Sequence, residues 1–316
     1  MRVPFLKAAG AALLVFGLHQ SAAWAADPAA CKTVRFSDVG WTDITATTAA
    51  TSVVLEALGY QPDVKVLSVP VTYKSMENKD IDIFLGNWMP TMEADIKPYR
   101  ENGSVDVVGV NLEGAKYTLA VPKDSFDKGL KTFADIAKFR DDLDGKIYGI
   151  EPGNDGNRLI LDMIKQNAFG LKGFELVESS EQGMLAQVGR SVKRDKAIVF
   201  LGWEPHPMNA NFEMAYLDGG DDVFGPNFGG ATVYTNVRKG YAGECPNVGK
   251  LLGNLKFTLA MENEIMAKIL DGGEKPNEAA AAWLKAHPDV VKSWLGGVTT
   301  VDGGDGMAAV KAKLGG

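Results

Sequence analysis

Apolar residues along this chain gather into short runs bounded by glycine, proline and small polar residues, and these runs alternate with stretches of helical period. In the first part, strand-like runs lie near 33–39, 63–69, 81–86 and 105–110. Between them the pattern predicts a helix over 43–58 closed by Gly59, a short helix near 72–79 and a helix opened by Pro90. A second unit starts with a strand over 117–121, continues with a helix opened by the capping-box-like Thr132-Phe133-Ala134-Asp135, and adds a strand over 146–150. The turn-rich segment Pro152-Gly153-Asn154-Asp155-Gly156-Asn157 precedes a helix over 158–167. Strands near 174–178 and 196–201 enclose a further helix; the Gly-rich stretch 219–230, a strand over 231–237 and helical patterns complete the chain. Such alternation predicts α/β lobes built on mostly parallel sheets flanked by helices.

Length and chemistry refine that picture. The start carries Arg2 and Lys7, an apolar stretch from Ala8 to Leu18 and the small-residue ending Ala23-Trp24-Ala25, which reads as a cleavable secretory signal over 1–25. No later stretch has the roughly 18 uninterrupted apolar residues of a membrane helix, so a soluble product exported to the periplasm is expected. About 290 mature residues suit two lobes of roughly 100 to 150 residues each. Residues 1–25 hold two basic and no acidic side chains, so their removal takes the formal net charge from −7 to about −9. That balance disfavours nucleic acid as a partner and mildly favours cationic ligands.

Cys31 and Cys245, in an oxidising compartment, are expected to form a disulfide. Lipid attachment at Cys31 is the alternative, disfavoured by the Asp27-Pro28 that separates it from the apolar stretch. A bridge would return the C-terminal portion to the first lobe. The expected division is then 26–113 with 230–316 as lobe I and 114–229 as lobe II, the chain crossing near 112–116 and 229–232. Two lobes joined by two crossovers make a cleft that can close on a ligand.

Three tryptophans fall within a residue or two of the end of a strand-like run: Trp41, Trp88 and Trp203. That is the carboxyl edge of an open sheet, where α/β folds bind ligands. Trp88 and Trp203 also share a context, Phe84-Leu85-Gly86-Asn87-Trp88-Met89-Pro90 against Phe200-Leu201-Gly202-Trp203-Glu204-Pro205, one in each expected lobe. Each could instead be a core residue, as Trp283 and Trp294 are by their place on apolar helix faces. A cluster of aromatic faces suits a quaternary ammonium group, which has no N–H to donate and whose diffuse charge gains roughly 0.5–2 kcal/mol per desolvated ring.

Trp41-Thr42-Asp43, Gly86-Asn87-Trp88-Met89-Pro90, Lys116-Tyr117, Leu143-Asp144-Gly145-Lys146-Ile147-Tyr148-Gly149-Ile150 and Gly202-Trp203-Glu204-Pro205-His206 together resemble the glycine betaine/choline class of periplasmic binding proteins. The likeness spans essentially the whole mature chain and is greatest to the choline-binding members that serve ABC importers. It implies the two-lobed type II binding-protein fold and an aromatic box of Trp41, Trp88, Tyr117 and Trp203 around a trimethylammonium group, with Asp43 and Asn154 as polar partners. It also implies delivery of choline to an inner-membrane permease and its ATPase, with no cofactor and no metal; a monomer is expected.

Asp43 is the residue that could select the ligand, since a close carboxylate repels the carboxylate of a betaine and attracts choline, a charge effect on the order of 3 kcal/mol. Its ordinary alternative is a helix N-cap, a role Thr42 could take instead. Asn154 could equally be a turn residue, and Asp155 and Glu204 could simply be solvated neighbours. His206 reads as a loop histidine without a ligand role, although some betaine binders aim a histidine at the carboxylate.

Catalysis finds little support. Without the signal only His206 and His287 remain, and the chain has no Gly-x-Ser-x-Gly elbow, no His-Glu-x-x-His and no Cys/His cluster at metal-ligand spacing. Expected alternatives to a choline receptor are a receptor for glycine betaine, proline betaine or acetylcholine and, further off, a periplasmic choline-ester hydrolase.

Overall fold

Nine strands of the computed structural model, which describes residues 26–315, join in one curled sheet with helices on its faces. They are β1 (Thr33–Asp38), β2 (Gln61–Val66), β3 (Ile83–Met89), β4 (Val105–Pro122), β5 (Lys146–Tyr148), β6 (Glu175–Val177), β7 (Phe200–Glu204), β8 (Met214–Tyr216) and β9 (Gly230–Arg238). Their order is β2-β1-β3-β9-β4-β7-β5-β6, with β8 beside β4. The expected secretory signal lies outside the described residues.

Parallel pairing fills the two outer parts of the sheet, where β1 joins β2 and β3, and β5 joins β6 and β7. Antiparallel pairing fills the middle, because β4 and β9 run back between the two parts. Along β4 the partner changes at Lys116, which pairs with Gly230 of β9 on one side and Glu204 of β7 on the other.

The runs 105–110 and 117–121, expected as two strands, are the two ends of the 18-residue β4. Its register to β9 shifts between Val107 and Gly109, between Val110 and Leu112, and between Leu112 and Ala115. Such bulges bend a strand without ending it, which explains why the glycine-containing middle reads as a break. The helix expected to open at Pro90 begins at Glu93, and the Met89–Pro90 and Glu204–Pro205 bonds are both cis. The short β8 carries too little pattern to be read from sequence.

The helix Thr42–Ala57 sets up the site. It is rich in Ala and Thr and buried almost all round, packed against the helices Leu259–Leu270 and Pro276–Ala286, so it shows no amphipathic stripe. Gly86 of β3 lets it close on the sheet: a Cβ there would stand 2.7 Å from Cδ1 of Ile44. The fit brings the start of this helix beside the end of β3.

Cys31 and Cys245 form a disulfide with their Cα atoms 5.7 Å apart. Beside it the buried Asp27 carboxylate accepts the N–H groups of Asn247 (2.8 Å) and Val248 (3.1 Å) and the Tyr60 hydroxyl (2.9 Å). The bridge and this cap fasten the segment around residues 27–31 to the helix Pro246–Asn254. Trp283 and Trp294 are core residues, as their helix faces predict. Among the described residues no helix is long and apolar enough to cross a membrane.

Candidate functional site

The sheet delivers its tryptophans to one place. Trp41 is the residue before the helix Thr42–Ala57, Trp88 is next to last in β3, and Trp203 is next to last in β7 and directly opposite Tyr117 of β4. These four rings, with Asp43 and Ile150, line a small cavity with about 250 Å³ of space between its atoms, counting the part open to solvent. The Trp88 and Tyr117 rings are 6.1 Å apart at 63°, and those of Tyr117 and Trp203 are 6.3 Å apart at 84°. Rings meeting edge to face are not stacked, and each keeps at least one π face clear of its neighbour.

Supporting residues fix the Tyr117 ring. Phe224, fully buried, meets it edge to face at 5.9 Å. Gly156 lies against its hydroxyl, where a Cβ would come within 2.0 Å of the phenol oxygen. Burial, followed by the charges of Asp155 and Glu151, pushes the Tyr117 phenol well above its usual range and keeps it a neutral donor. That donor reaches Oδ1 of Asn154 at 3.3 Å.

Asn154 is therefore one hydrogen bond behind the cavity wall rather than part of it. It is not a left-handed turn residue: with φ −76° and ψ 159° it is the N-cap of the helix Asp155–Gln166, accepting the Asn157 N–H at 2.9 Å. The helix thus starts three residues before the expected 158.

Asp43 does not cap its helix either. It is 1% exposed, and neither carboxylate oxygen has a hydrogen-bond partner among the described residues. Burial first, and the neighbouring Glu181 second, push its carboxyl well above the usual carboxylate range; the N–H groups of its own helical turn oppose this only in part. The Nε1 atoms of Trp41 and Trp88 are likewise buried without partners. Natural folds leave few such groups, and four of these atoms belong to one cavity wall.

Glu181 fills the capping position instead, from 139 residues away. Its carboxylate accepts the Thr42 N–H at 2.8 Å and the Thr42 hydroxyl at 2.6 Å. Its third contact is Nε2 of His206 at 3.0 Å, and both side chains are buried. His206 is thus a structural partner in the site, not a bystander in a loop, and its ring packs 4.8 Å from that of Trp203. Asp155, far from being solvated, is fully buried, and its carboxyl is pushed up to about 6 by that burial. Glu204 pairs with Lys116 at 3.1 Å on the β4–β7 rim.

Residues 32–286 match the family model described as the substrate-binding domain of ABC-type glycine betaine transport systems. The chain belongs to this family. The fold is accordingly its two-lobed periplasmic binding-protein fold, in a curled mixed sheet with flanking helices. One similar solved structure is an ABC-transporter choline-binding protein in complex with choline, 70% identical, with a TM-score of 0.90, over 91% of this chain and all of that one. Another is lactococcal OpuAC closed on glycine betaine, 27% identical, with a TM-score of 0.75, over 83% of this chain and 98% of that one. The glycine betaine/carnitine transport binding protein GbuC of Listeria monocytogenes is 32% identical over half of this chain and 51% of its own length. Members of the family are substrate-binding components of ABC transporters.

Proposed function

We propose that this chain is a periplasmic receptor that closes on choline and delivers it to an ABC permease and its ATPase. The observation that carries the reading is the cavity itself: four aromatic rings and one buried carboxylate, Asp43, that has no hydrogen-bond partner among the described residues. Cation–π contacts with Trp41, Trp88, Tyr117 and Trp203 hold the trimethylammonium head. Asp43 serves the hydroxyl end, and Asn154 acts from behind the wall by holding the Tyr117 hydroxyl. The choline complex of the 70% identical protein supports the same ligand here.

In this reading residues 26–113 and 230–316 form lobe I, residues 114–229 form lobe II, and the chain crosses between them within β4 and at the start of β9. The binding unit is a monomer carrying no cofactor, exported by the signal over 1–25. A glycine betaine receptor is the competing reading, favoured by the family's name and by the betaine complex of the 27% identical relative.

Intrinsic tryptophan fluorescence titrated with choline, acetylcholine, glycine betaine and proline betaine separates them. Choline should bind most tightly and remain chemically unchanged. A preference for glycine betaine would overturn the choline assignment, and release of acetate from acetylcholine would replace the receptor by a hydrolase.

A further inference from the structure

Behind the cavity wall lies a group of acids that ligand contact alone does not explain. Glu181 is fully buried, and its three partners, the Thr42 N–H, the Thr42 hydroxyl and His206, carry no formal charge. The neutrality of His206 follows from its contacts. Its Nδ1 accepts the Met208 N–H at 2.9 Å, so the ring hydrogen sits on Nε2, where it is donated to Glu181. Around Glu181 stand three more carboxylates. Glu151 accepts the Glu181 N–H at 3.0 Å, Asp38 accepts the Gly40 N–H and the Thr45 hydroxyl, and Asp43 faces the cavity without a partner. Among the described residues none of the four has a lysine or arginine as ion-pair partner.

The carboxylate takes all three donors, which an amide with a single oxygen cannot, and it does so at the desolvation cost of a buried charge that no lysine or arginine offsets. It also adds a field, and the nearby space able to hold a compensating cation is the aromatic cavity. We propose that Glu181 is a specificity-determining positioning residue: lobe closure sets its charged carboxylate on the start of the Asp43 helix, and the combined negative field makes the closed state favour a net cation over a zwitterion. The proposal rests on the quaternary-amine reading above. It makes discrimination a property of closure, since Glu181 and Asp43 stand on opposite sides of the cleft and their charges add only when Thr42 is engaged.

The test is calorimetric titration of choline and glycine betaine into the full mature protein, its Glu181→Gln variant and a Thr42→Val control. Glu181→Gln keeps the shape but loses both the charge and one acceptor; the lost hydrogen bond should weaken both ligands alike, while the lost charge should lower the ratio of choline to betaine affinity at least about fivefold. Thr42→Val removes one latch contact and keeps the charge, so both affinities should fall while their ratio stays within about twofold. An unchanged ratio in Glu181→Gln, with both ligands weakened alike, would reduce Glu181 to a mechanical latch. Should Glu181→Gln not fold, Glu181→Asp decides: with charge kept and reach shortened the ratio should hold, and a fivefold change would overturn the proposal. A wild-type protein that bound neither ligand would remove the receptor reading itself, an outcome distinct from an unmoved ratio.

Discussion

Replacing Asp43 by Asn is the sharpest probe of the cavity, because it removes one charge and almost no volume. Asp43 lines the cavity beside the four rings, so a cation held against them stands on the order of 5 Å from its carboxylate. At an effective dielectric constant near 20, that separation is worth about 3 kcal/mol. Part of the gain is offset in the wild-type protein, because burial favours the neutral form of Asp43 and the arriving cation must draw out its charge. The net loss of choline affinity in Asp43→Asn should therefore be between tenfold and about a hundredfold. Glycine betaine should respond the other way or not at all, since its carboxylate no longer meets an anion. Fluorescence titration of both ligands against both proteins measures this. Equal losses for choline and betaine would show that Asp43 acts on cavity shape, and an unchanged choline affinity would remove its charge from the account.

Trp203→Ala deletes one wall of the cavity and should weaken choline binding at least about tenfold, read from the fluorescence of the remaining tryptophans; an unchanged affinity would take Trp203 out of the site. Gly156→Ala should weaken binding more than Tyr117→Phe, because a methyl group 2.0 Å from the phenol oxygen must displace the ring, whereas Phe loses only the 3.3 Å bond to Asn154, a change of about threefold. Asp155, raised to about 6 in the folded protein, stabilises the fold fully only below its unfolded value of about 3.9, and that contribution is lost as pH rises through 6. Asp155→Asn should therefore be more stable than wild type at pH 8, by up to about 3 kcal/mol, and the gap should close toward pH 4 in thermal melts; a gap that widens as pH falls would contradict the assigned burial.

Legibility in the sequence followed the range of each interaction. Trp88 and Trp203 were readable because a strand end, a tryptophan and a proline two residues later are all local, and the sheet then set Trp203 opposite Tyr117 by register. Trp41 was readable from the strand that precedes it and the helix that follows. The disulfide needed only the compartment and the count of cysteines. What escaped was decided across long separations. Whether Asp43 caps its helix turns on Glu181, which in its own neighbourhood looks like an ordinary acid in a first helical turn, after the N-cap Ser180. His206 looked idle because its partner lies 25 residues earlier on another element. The side chain of Asn154 caps the next helix and accepts the Tyr117 hydroxyl, a division that only the packed structure reveals.

This division has a physical basis. The aromatic residues of a quaternary-amine site can be chosen strand by strand, because each ring contributes through its own face, and the contributions nearly add. Charge cannot be assigned in that way, since the cost of Asp43 depends on every acid and donor that closure brings within a few ångströms of it. A receptor that must admit its ligand when open and retain it when closed gains from that dependence. The rings can recognise the methylated head from either lobe, whereas the unpartnered carboxylate and the Glu181 latch take their full effect only when the lobes meet. Affinity in this protein should then be governed chiefly by how well a ligand stabilises closure, with differences among quaternary amines appearing in their rates of release more than in their rates of capture.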